Sequence, residues 1–498
     1  MTNEALLRLV YCALVAIAIA LPFVPKFRST MDKRAEFMKQ PAYSPDIPVF
    51  YLPLFALTLA VISLFLGGLE TIMHTMLATG FPAIAHICLY FLLLLPLLPW
   101  LRRHFTAQAC AGLWMIPNCL YFVMLGFTQL PQPRWVVTVP GLRAEIIFYL
   151  WLAGFLAVFG WKVIDHLRFR RHVLSGAHPV TTPYLLSLWS RAITEARVGN
   201  VSFELVTSPA VTSPLTVGLF RSATRVVLPR DVRYTAEELE LIFRHELIHI
   251  ERKDSRTKFF LMFCTALCWF NPLMWLAMDK CAQDLELSCD EAVLQNKDDA
   301  TRQQYAHLLL DTAATGRGFT TCLSASAEAM RHRLKSVVEP VRRHSGALLI
   351  FLVCFVLCAS CGHVALAYGG ESGEDVLFAG DVEACSLRDS ISLSEDGGWT
   401  YNSVPEGANP EPLFDCLADL QLCRMTGMYT FDEREKGVSF WLQTPEGLRH
   451  IYLHDSFAEV IHVGEGSRTA SNYYLPEDVD WDSIYNTVRA ITQSQSSQ

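Results

Sequence analysis

The chain has 498 residues, of which 52% are hydrophobic and 18% charged, and its formal net charge is −8 at pH 7. Its mean hydropathy of +0.27 is unusual for a soluble enzyme of this size and points to a membrane protein with several domains. The negative balance shows no general attraction to phosphate, and the basic residues cluster beside apolar runs, so direct contact with nucleic acid is not expected.

In chain order, six runs are apolar over about 20 residues, enough to cross a bilayer. They are Leu6 to Val24, Ile47 to Leu66, Pro82 to Leu101, Ala107 to Phe127, Ile146 to Ile164 and Ala347 to Leu366. The fourth is the weakest, because it carries Pro117 and Asn118. The first lacks a basic lead-in and a small-x-small cleavage site, so it reads as a retained span rather than a secretory signal.

Orientation follows from the basic residues. Lys26, Arg28, Lys33, Arg34 and Lys39 follow the first run, Arg102 and Arg103 the third, and Arg168, Arg170 and Arg171 the fifth, while Arg342 and Arg343 precede the sixth. The positive-inside rule places all four groups in the cytoplasm, with the N-terminus and the C-terminal tail outside. The expected organisation is a multi-pass α-helical protein of the cell membrane: a membrane domain of about five spans over residues 1–165, a cytoplasmic domain over 166–345, a last transmembrane helix over 346–368 and an extracytoplasmic domain over 369–498.

The cytoplasmic segment carries the chemistry. Its first third is strand-like and turn-rich (FELVTSPAVTSPLTVGLFRSATRVVLP), and FRHELIHIERKD follows at 243 to 254. His245 and His249 are four apart and share one helical face, so both imidazoles reach a single Zn²⁺, and Glu246 beside the first can polarise a water. Thr235-Ala-Glu-Glu238 is a capping-box start for that helix. The next apolar run, Phe259 to Met278, is long enough for a further span. Asn271-Pro272 in its middle reads as an N-cap with proline at the first helical position, so the run is expected to form a hairpin that returns the chain to the metal.

A zinc peptidase needs a third protein ligand and leaves the fourth position for water. The nearby acids are Glu251, Asp254, Asp284, Glu286, Asp290 and Glu291. Glu251 lies about 200° round the helix from His249 and points away, while Asp254 reads as support for the helix end, with Arg252. Glu286 and Asp290 are four apart and share a face, so one can bind metal while the other hydrogen-bonds a liganding imidazole. Spacing alone does not say which.

The blocks SPLTVGLF (213 to 220), VVLP (226 to 229), EELELIFRHELIHIERKD (237 to 254), NPLMW (271 to 275) and DLELSCDEAVL (284 to 294) resemble the BlaR/MecR-type antirepressor metallopeptidase family, and the likeness extends more loosely through Tyr305-Ala306 and RHRLKSV (331 to 337). The resemblance implies a cytoplasmic, mainly α-helical HExxH zinc peptidase domain with one Zn²⁺ per chain. It implies Glu286 as third ligand, Cys289 in a small-residue slot, Asp290 as the acid behind the ligands, and Glu246 as the base that takes the water proton and returns it to the leaving amine. It also implies a circuit in which an extracytoplasmic ligand triggers cleavage of the protein itself or of a cytoplasmic transcriptional repressor. Beta-lactam sensors of this kind carry a penicillin-binding domain with a Ser-x-x-Lys nucleophile. The tail here is short, and its sole lysine, Lys436, does not follow a serine at that spacing, so acylation by a beta-lactam is not expected. Two alternatives are a catalytically silent receptor with a structural zinc site and a membrane-protein quality-control protease.

The tail reads as a small α+β domain: VSFWLQT and HIYLHDSFAEVIHV alternate like strands, Leu413 to Leu422 and Trp481 to Ile491 like helices, and the Ser-Gln end like a disordered segment. Cys416 and Cys423 are a candidate disulfide in an oxidising exterior. Cys358-x-x-Cys361 reads as packing, and His307, His332 and His344 as surface residues.

Overall fold

The structure is a computed structural model that describes residues 3–37, 49–124, 130–131, 133–140, 143–196, 203–230, 234–314, 327–339, 343–394, 398–405, 407–425, 429–430, 436–464 and 467–493. Lys39, Arg342 and the Ser-Gln end at 494–498 lie outside these residues. The chain is mostly helical, with a sheet-rich C-terminal region.

The apolar layer contains α1 (Asn3–Ala20), followed by the polar α2 (Pro25–Phe37), then α3 (Tyr51–His104), α4 (Ala107–Leu113) and α5 (Leu120–Met124), and, beyond strands β1 (Leu130–Pro131) and β2 (Trp135–Pro140), α6 (Ala144–Leu174). Stretches within α1, α3 and α6 are long and apolar enough to cross a membrane. The second and third apolar runs fall in the single element α3, which folds back on itself at Gly68, where φ is +73°. The Leu52 amide donates to Asn118 Oδ1 and the Tyr90 hydroxyl to the Leu113 carbonyl, so both legs reach the same short segment. In a straight helix those two residues would stand about 57 Å apart. A side chain at Gly68 would be strained, and the polarity of the surroundings has no part in the choice.

The fourth run is not one helix. It breaks into α4, a 3₁₀ turn over Ile116–Cys119 and α5, because Pro117 has no amide hydrogen to continue the ladder. Trp114, Ile116, Cys119 and Leu120 are fully buried there and form the centre of the bundle, with α1, α3 and α13 (Ala347–Ser360) around them. The last run also differs from expectation. Its helix ends at Ser360, and β7 (Val364–Ser372) begins within the segment assigned to a span.

The next region begins with β3 (His178–Pro179) and α7 (Pro183–Ala196), then β4 (Glu204–Ser208), β5 (Leu215–Val217) and β6 (Arg225–Pro229). These strands form a four-stranded sheet in the order β3-β4-β6-β5, leaving β5 on an edge. Helix α8 (Ala236–Arg252) starts at the expected capping box: Thr235 Oγ1 accepts from the Glu238 amide, and the Glu238 carboxylate accepts from the Thr235 amide at 2.7 Å. It packs on α7 through Trp189 and Phe243, whose rings meet edge-on at 5.0 Å. The run 259 to 278 is the expected hairpin, made by α9 (Asp254–Leu267) and α10 (Pro272–Val293), with Asn271 Oδ1 capping the Leu273 amide. Its tip is seated on α6, where Trp151 Nε1 donates to the Leu267 carbonyl and the missing side chain of Gly154 leaves room for the Trp269 indole. Helices α11 (Asp299–Ala314) and α12 (Ala327–Val338) then close over α10.

The tail comprises β7, α14 (Gly373–Phe378), β8 (Ser386–Ser394), β9 (Trp399–Ser403), α15 (Glu411–Ala418), β10 (Gln421–Met425), β11 (Tyr429–Thr430), β12 (Gly437–Thr444), β13 (Gly447–His454), β14 (Phe457–Gly464), β15 (Ser467–Tyr474) and α16 (Trp481–Gln493). Alternation along the strands buries Val438, Phe440, Leu442, Ile451 and Leu453 against the three helices. The nine-stranded sheet is not confined to residues 369–498, since β7 straddles that boundary and β2, from the connection between α5 and α6, pairs with it in parallel, Trp135 opposite Val364 through Pro140 opposite Gly369. Cys416 and Cys423 are free thiols held apart, the first near Ser483 and the second near the Gly369 carbonyl. The two lie on different elements, α15 and β10, and each sulfur faces its own neighbour in place of the expected disulfide. Cys358 and Cys361 pack in the apolar bundle.

Candidate metal centre

Helix α8 presents His245 and His249 to one point. Their Nε2 atoms are 3.0 Å apart, and their rings meet edge-on at 82°. Helix α10 brings Glu286 across the hairpin, with Oε2 at 3.5 Å from His245 Nε2 and Oε1 at 3.7 Å from His249 Nε2. Ligands on a tetrahedral zinc with bonds near 2 Å stand about 3.3 Å apart, so this triangle has the size and the nitrogen and oxygen donors that Zn²⁺ takes. His245 is fully buried, and Glu246 and Glu286 nearly so. The hairpin accounts for this arrangement, since a crossing at 259–278 would have carried Glu286 away from the histidines.

Each imidazole is held from behind. His249 Nδ1 lies 2.6 Å from Asp254 Oδ2, so Asp254 orients a ring as well as beginning α9. The left-handed backbone at Lys253, φ 58°, turns the chain so that this carboxylate comes back to His249. His245 Nδ1 lies 2.9 Å from the Tyr305 hydroxyl, and that hydroxyl donates to Asp290 Oδ1 at 2.7 Å. The Tyr305 oxygen can therefore accept from Nδ1–H, the tautomer that leaves Nε2 free to bind a metal. Asp290 is in turn clasped by Arg333, Nε to Oδ2 and Nη2 to Oδ1, both at 2.8 Å. Asp290 is thus 3.7 Å from His245 Nδ1 and reaches it by way of Tyr305.

The electrostatics follow from a buried cluster of opposite charges. Burial works against charge on His245, but the Cys289 sulfur and the Glu286 carboxylate outweigh it and hold the imidazole up at about 10. His249 is raised likewise against the same burial cost, by Cys289, Glu286 and Asp254. Burial opposes ionisation of Glu286 too, yet the two imidazoles and Arg333 hold its carboxyl well below the usual range. A divalent cation can take the place of those imidazole protons.

Glu246 lies outside the ligand triangle. One of its oxygens accepts from Thr216 Oγ1 at 2.7 Å, and Thr216 belongs to the edge strand β5. Cys289 stands closer than a filler of a small-residue slot. Its sulfur, 3.3 Å from His245 Nδ1, lies within 4.8 Å of donor atoms of both histidines, which makes His245, His249 and Cys289 an alternative ligand set. The geometry favours Glu286, whose oxygens face both Nε2 atoms, whereas the thiol sits at the Nδ1 edge of His245 and also contacts the His245 carbonyl.

Of the other acids, Asp284 pairs with Arg102 at 2.6 Å and Trp114 at 2.8 Å, and Glu291 accepts from the Ala107 amide. Thr216, Tyr305 and Arg333 were given no part by sequence. Their signal was position within blocks shared with the resembled family, which marks a segment without saying what a side chain touches. Arg333, in the basic stretch RHRLKSV, is 3% exposed.

Over 230 residues the chain is 27% identical to "Regulatory protein BlaR1" of Bacillus licheniformis, covering 44% of this chain and 38% of that protein, so it spans well under half of that relative's length. Residues 89–339, just over half of the chain and the whole of the centre described above, match the family model for the BlaR1 peptidase M56, and the chain belongs to that family.

Proposed function

We propose that the protein is an integral-membrane zinc metalloendopeptidase that relays an extracytoplasmic stimulus by cleaving itself or a cytoplasmic protein. A transcriptional repressor is the substrate class implied by the antirepressor resemblance. The observation that carries this reading is Glu246, a buried carboxylate fixed by Thr216 beside a triangle of two imidazoles and a carboxylate. A purely structural site needs ligands but no such neighbour.

His245, His249 and Glu286 are the residues that would hold Zn²⁺, which supplies a Lewis acid for the scissile carbonyl and makes a nearby water more acidic. Glu246 takes a proton from the attacking water and delivers it to the leaving amine as the C–N bond breaks. Thr216 pins one Glu246 oxygen and leaves the other for the water. Asp254 and Tyr305 keep the two rings turned with Nε2 inward, and the two hydrogen bonds from Arg333 hold Asp290 in place as the anchor of Tyr305.

The sidedness of the circuit is also part of the proposal. With α1, the two legs of α3, the broken α4–α5 segment, α6 and α13 as the passages, the N-terminus and the tail lie outside and the metal centre inside. Two contacts support this. Arg8 near the start of α1 bonds the Cys361 carbonyl just past α13, and β2 from an outer connection joins the tail sheet. Through β2 and β7 the outer sheet is tied directly to α6 and α13, a path by which ligand binding outside can move α6, which packs on the hairpin.

Cys289 favours a second reading, a closed His-His-Glu-Cys structural site in a silent receptor. Native membranes stripped with a chelator and reloaded with zinc separate the two. A peptidase yields a new fragment by mass spectrometry only on reloading, whereas identical fragment patterns with and without zinc would support the structural site.

A further inference from the structure

Behind the metal centre, where α3 and α10 meet α12, lies a cavity of about 380 Å³ with a strongly basic lining: Arg28, Arg102, Arg252, Arg302 and Arg343, with His332 on the rim. The acids that share the lining are Asp290 and Glu291. Both are engaged, Asp290 by Arg333 and Tyr305, and Glu291 by the Ala107 amide. Arg102 and Arg252 have carboxylate partners in Asp284 and Asp254. Arg28 lies near enough to Glu251 to favour ionisation of that carboxylate. Arg28 donates to the Gln108 side-chain oxygen, Arg302 to the Val337 and Leu294 carbonyls, and Arg343 Nε is buried with no hydrogen-bond partner among the described residues.

Like charges converging on a partly desolvated space repel one another, and an anion between them reverses the sign of that interaction. Planar guanidinium groups also match the oxygens of phosphate in pairs. The positive-inside rule accounts for arginines near helix ends, but it asks only that they lie on one side of the bilayer and gives no reason for them to face one cavity. We propose that this cavity binds a phosphate group, carried by an anionic lipid headgroup of the adjoining leaflet or by a soluble phosphate compound. Arg28 follows α1, Arg102 ends α3 and Arg343 precedes α13, so the cavity lies where three apolar helices end, at headgroup depth in the proposed topology. His332 is held below its ordinary value by partial burial and by Arg102, Arg343 and Lys335, in keeping with a positive field in the cavity. The lining joins α10 to α12 through Ser288, Asp290 and Ser336. Occupancy therefore braces the two helices that supply Glu286, Asp290 and Arg333 to the metal centre.

The test is binding and does not depend on peptidase activity. Full-length protein in phosphatidylcholine nanodiscs, with and without phosphatidylglycerol, is examined by native mass spectrometry for retained lipid, and inorganic phosphate is titrated against its thermal unfolding in phosphatidylcholine alone. Retention of phosphatidylglycerol identifies the lipid as the source, and stabilisation by phosphate alone identifies a soluble ligand. In either case Arg343→Gln weakens binding by roughly fivefold, about the worth of one cation near an anionic surface. Arg103→Gln, an exposed neighbour outside the cavity, leaves binding unchanged. Arg28→Gln serves as a second variant should Arg343→Gln fail to fold. Absence of both ligands from the wild type, or equal weakening by the cavity and Arg103 variants, would overturn the proposal.

Discussion

Tyr305 joins the two halves of the candidate metal centre: its oxygen meets His245 Nδ1 at 2.9 Å while its proton goes to Asp290 at 2.7 Å. Tyr305→Phe removes that link without removing a ligand. It is expected to weaken zinc binding by about 10- to 100-fold, read by competition with a chromophoric chelator; unchanged affinity would mean that packing alone orients His245. A pH dependence follows from the same residue. With the metal chelated, the His245 pKa stands at about 10 against an ordinary value of about 6.5. The protonated ring therefore stabilises the chelated protein fully below about pH 6.5 and loses that contribution as pH rises towards 10, while zinc, which needs the neutral ring, binds more tightly over the same window. Thermal unfolding of chelated and zinc-loaded protein between pH 6.5 and 9.5 should show the gap between them widening, and parallel curves would contradict it. His245, Glu246 and His249 were legible because helical periodicity fixes their geometry locally. Glu286 needed the family resemblance, and Tyr305, Arg333 and Thr216 depend on contacts between distant segments that no local pattern encodes.

At the scale of elements, hydropathy located the apolar runs, and turn chemistry found the α9–α10 hairpin through Asn271 and Pro272. Two features escaped it. The reversal at Gly68 is written in backbone conformation, which hydropathy does not register, and the pairing of β2 with β7 joins strands more than two hundred positions apart in the sequence. The tail's strands and helices were readable from alternation, but the membership of its sheet was not. Within that sheet, burial pushes His454 down to about 4. Because the unfolded chain takes up the proton near pH 6.5, the stability of the sheet is intact above that value and falls as pH drops towards 4, by on the order of 3 kcal/mol at most. Hydrogen exchange of β12 to β14 at pH 7.5 and 5 should show protection lost in the wild type and retained in His454→Gln. Equal losses in both would place the acid sensitivity elsewhere.

For the whole molecule, the tail sheet, the bundle and the candidate metal centre form one connected path, from β2 through α6 to the hairpin that carries Glu286. The proposed sidedness predicts that an epitope inserted at Gly407 is digested by protease only in right-side-out vesicles, and one inserted at Gly176 only in inverted vesicles; digestion of both from one face would refute it. The central claim is that Glu246 works on a peptide bond beside a zinc that it does not itself hold. Wild type and Glu246→Ala are compared in native membranes for zinc content and for cleaved fragments by mass spectrometry. The account predicts equal zinc in both and a fragment whose formation falls by about 10² or more in the variant. Equal zinc with identical fragments under every stimulus tried would contradict it.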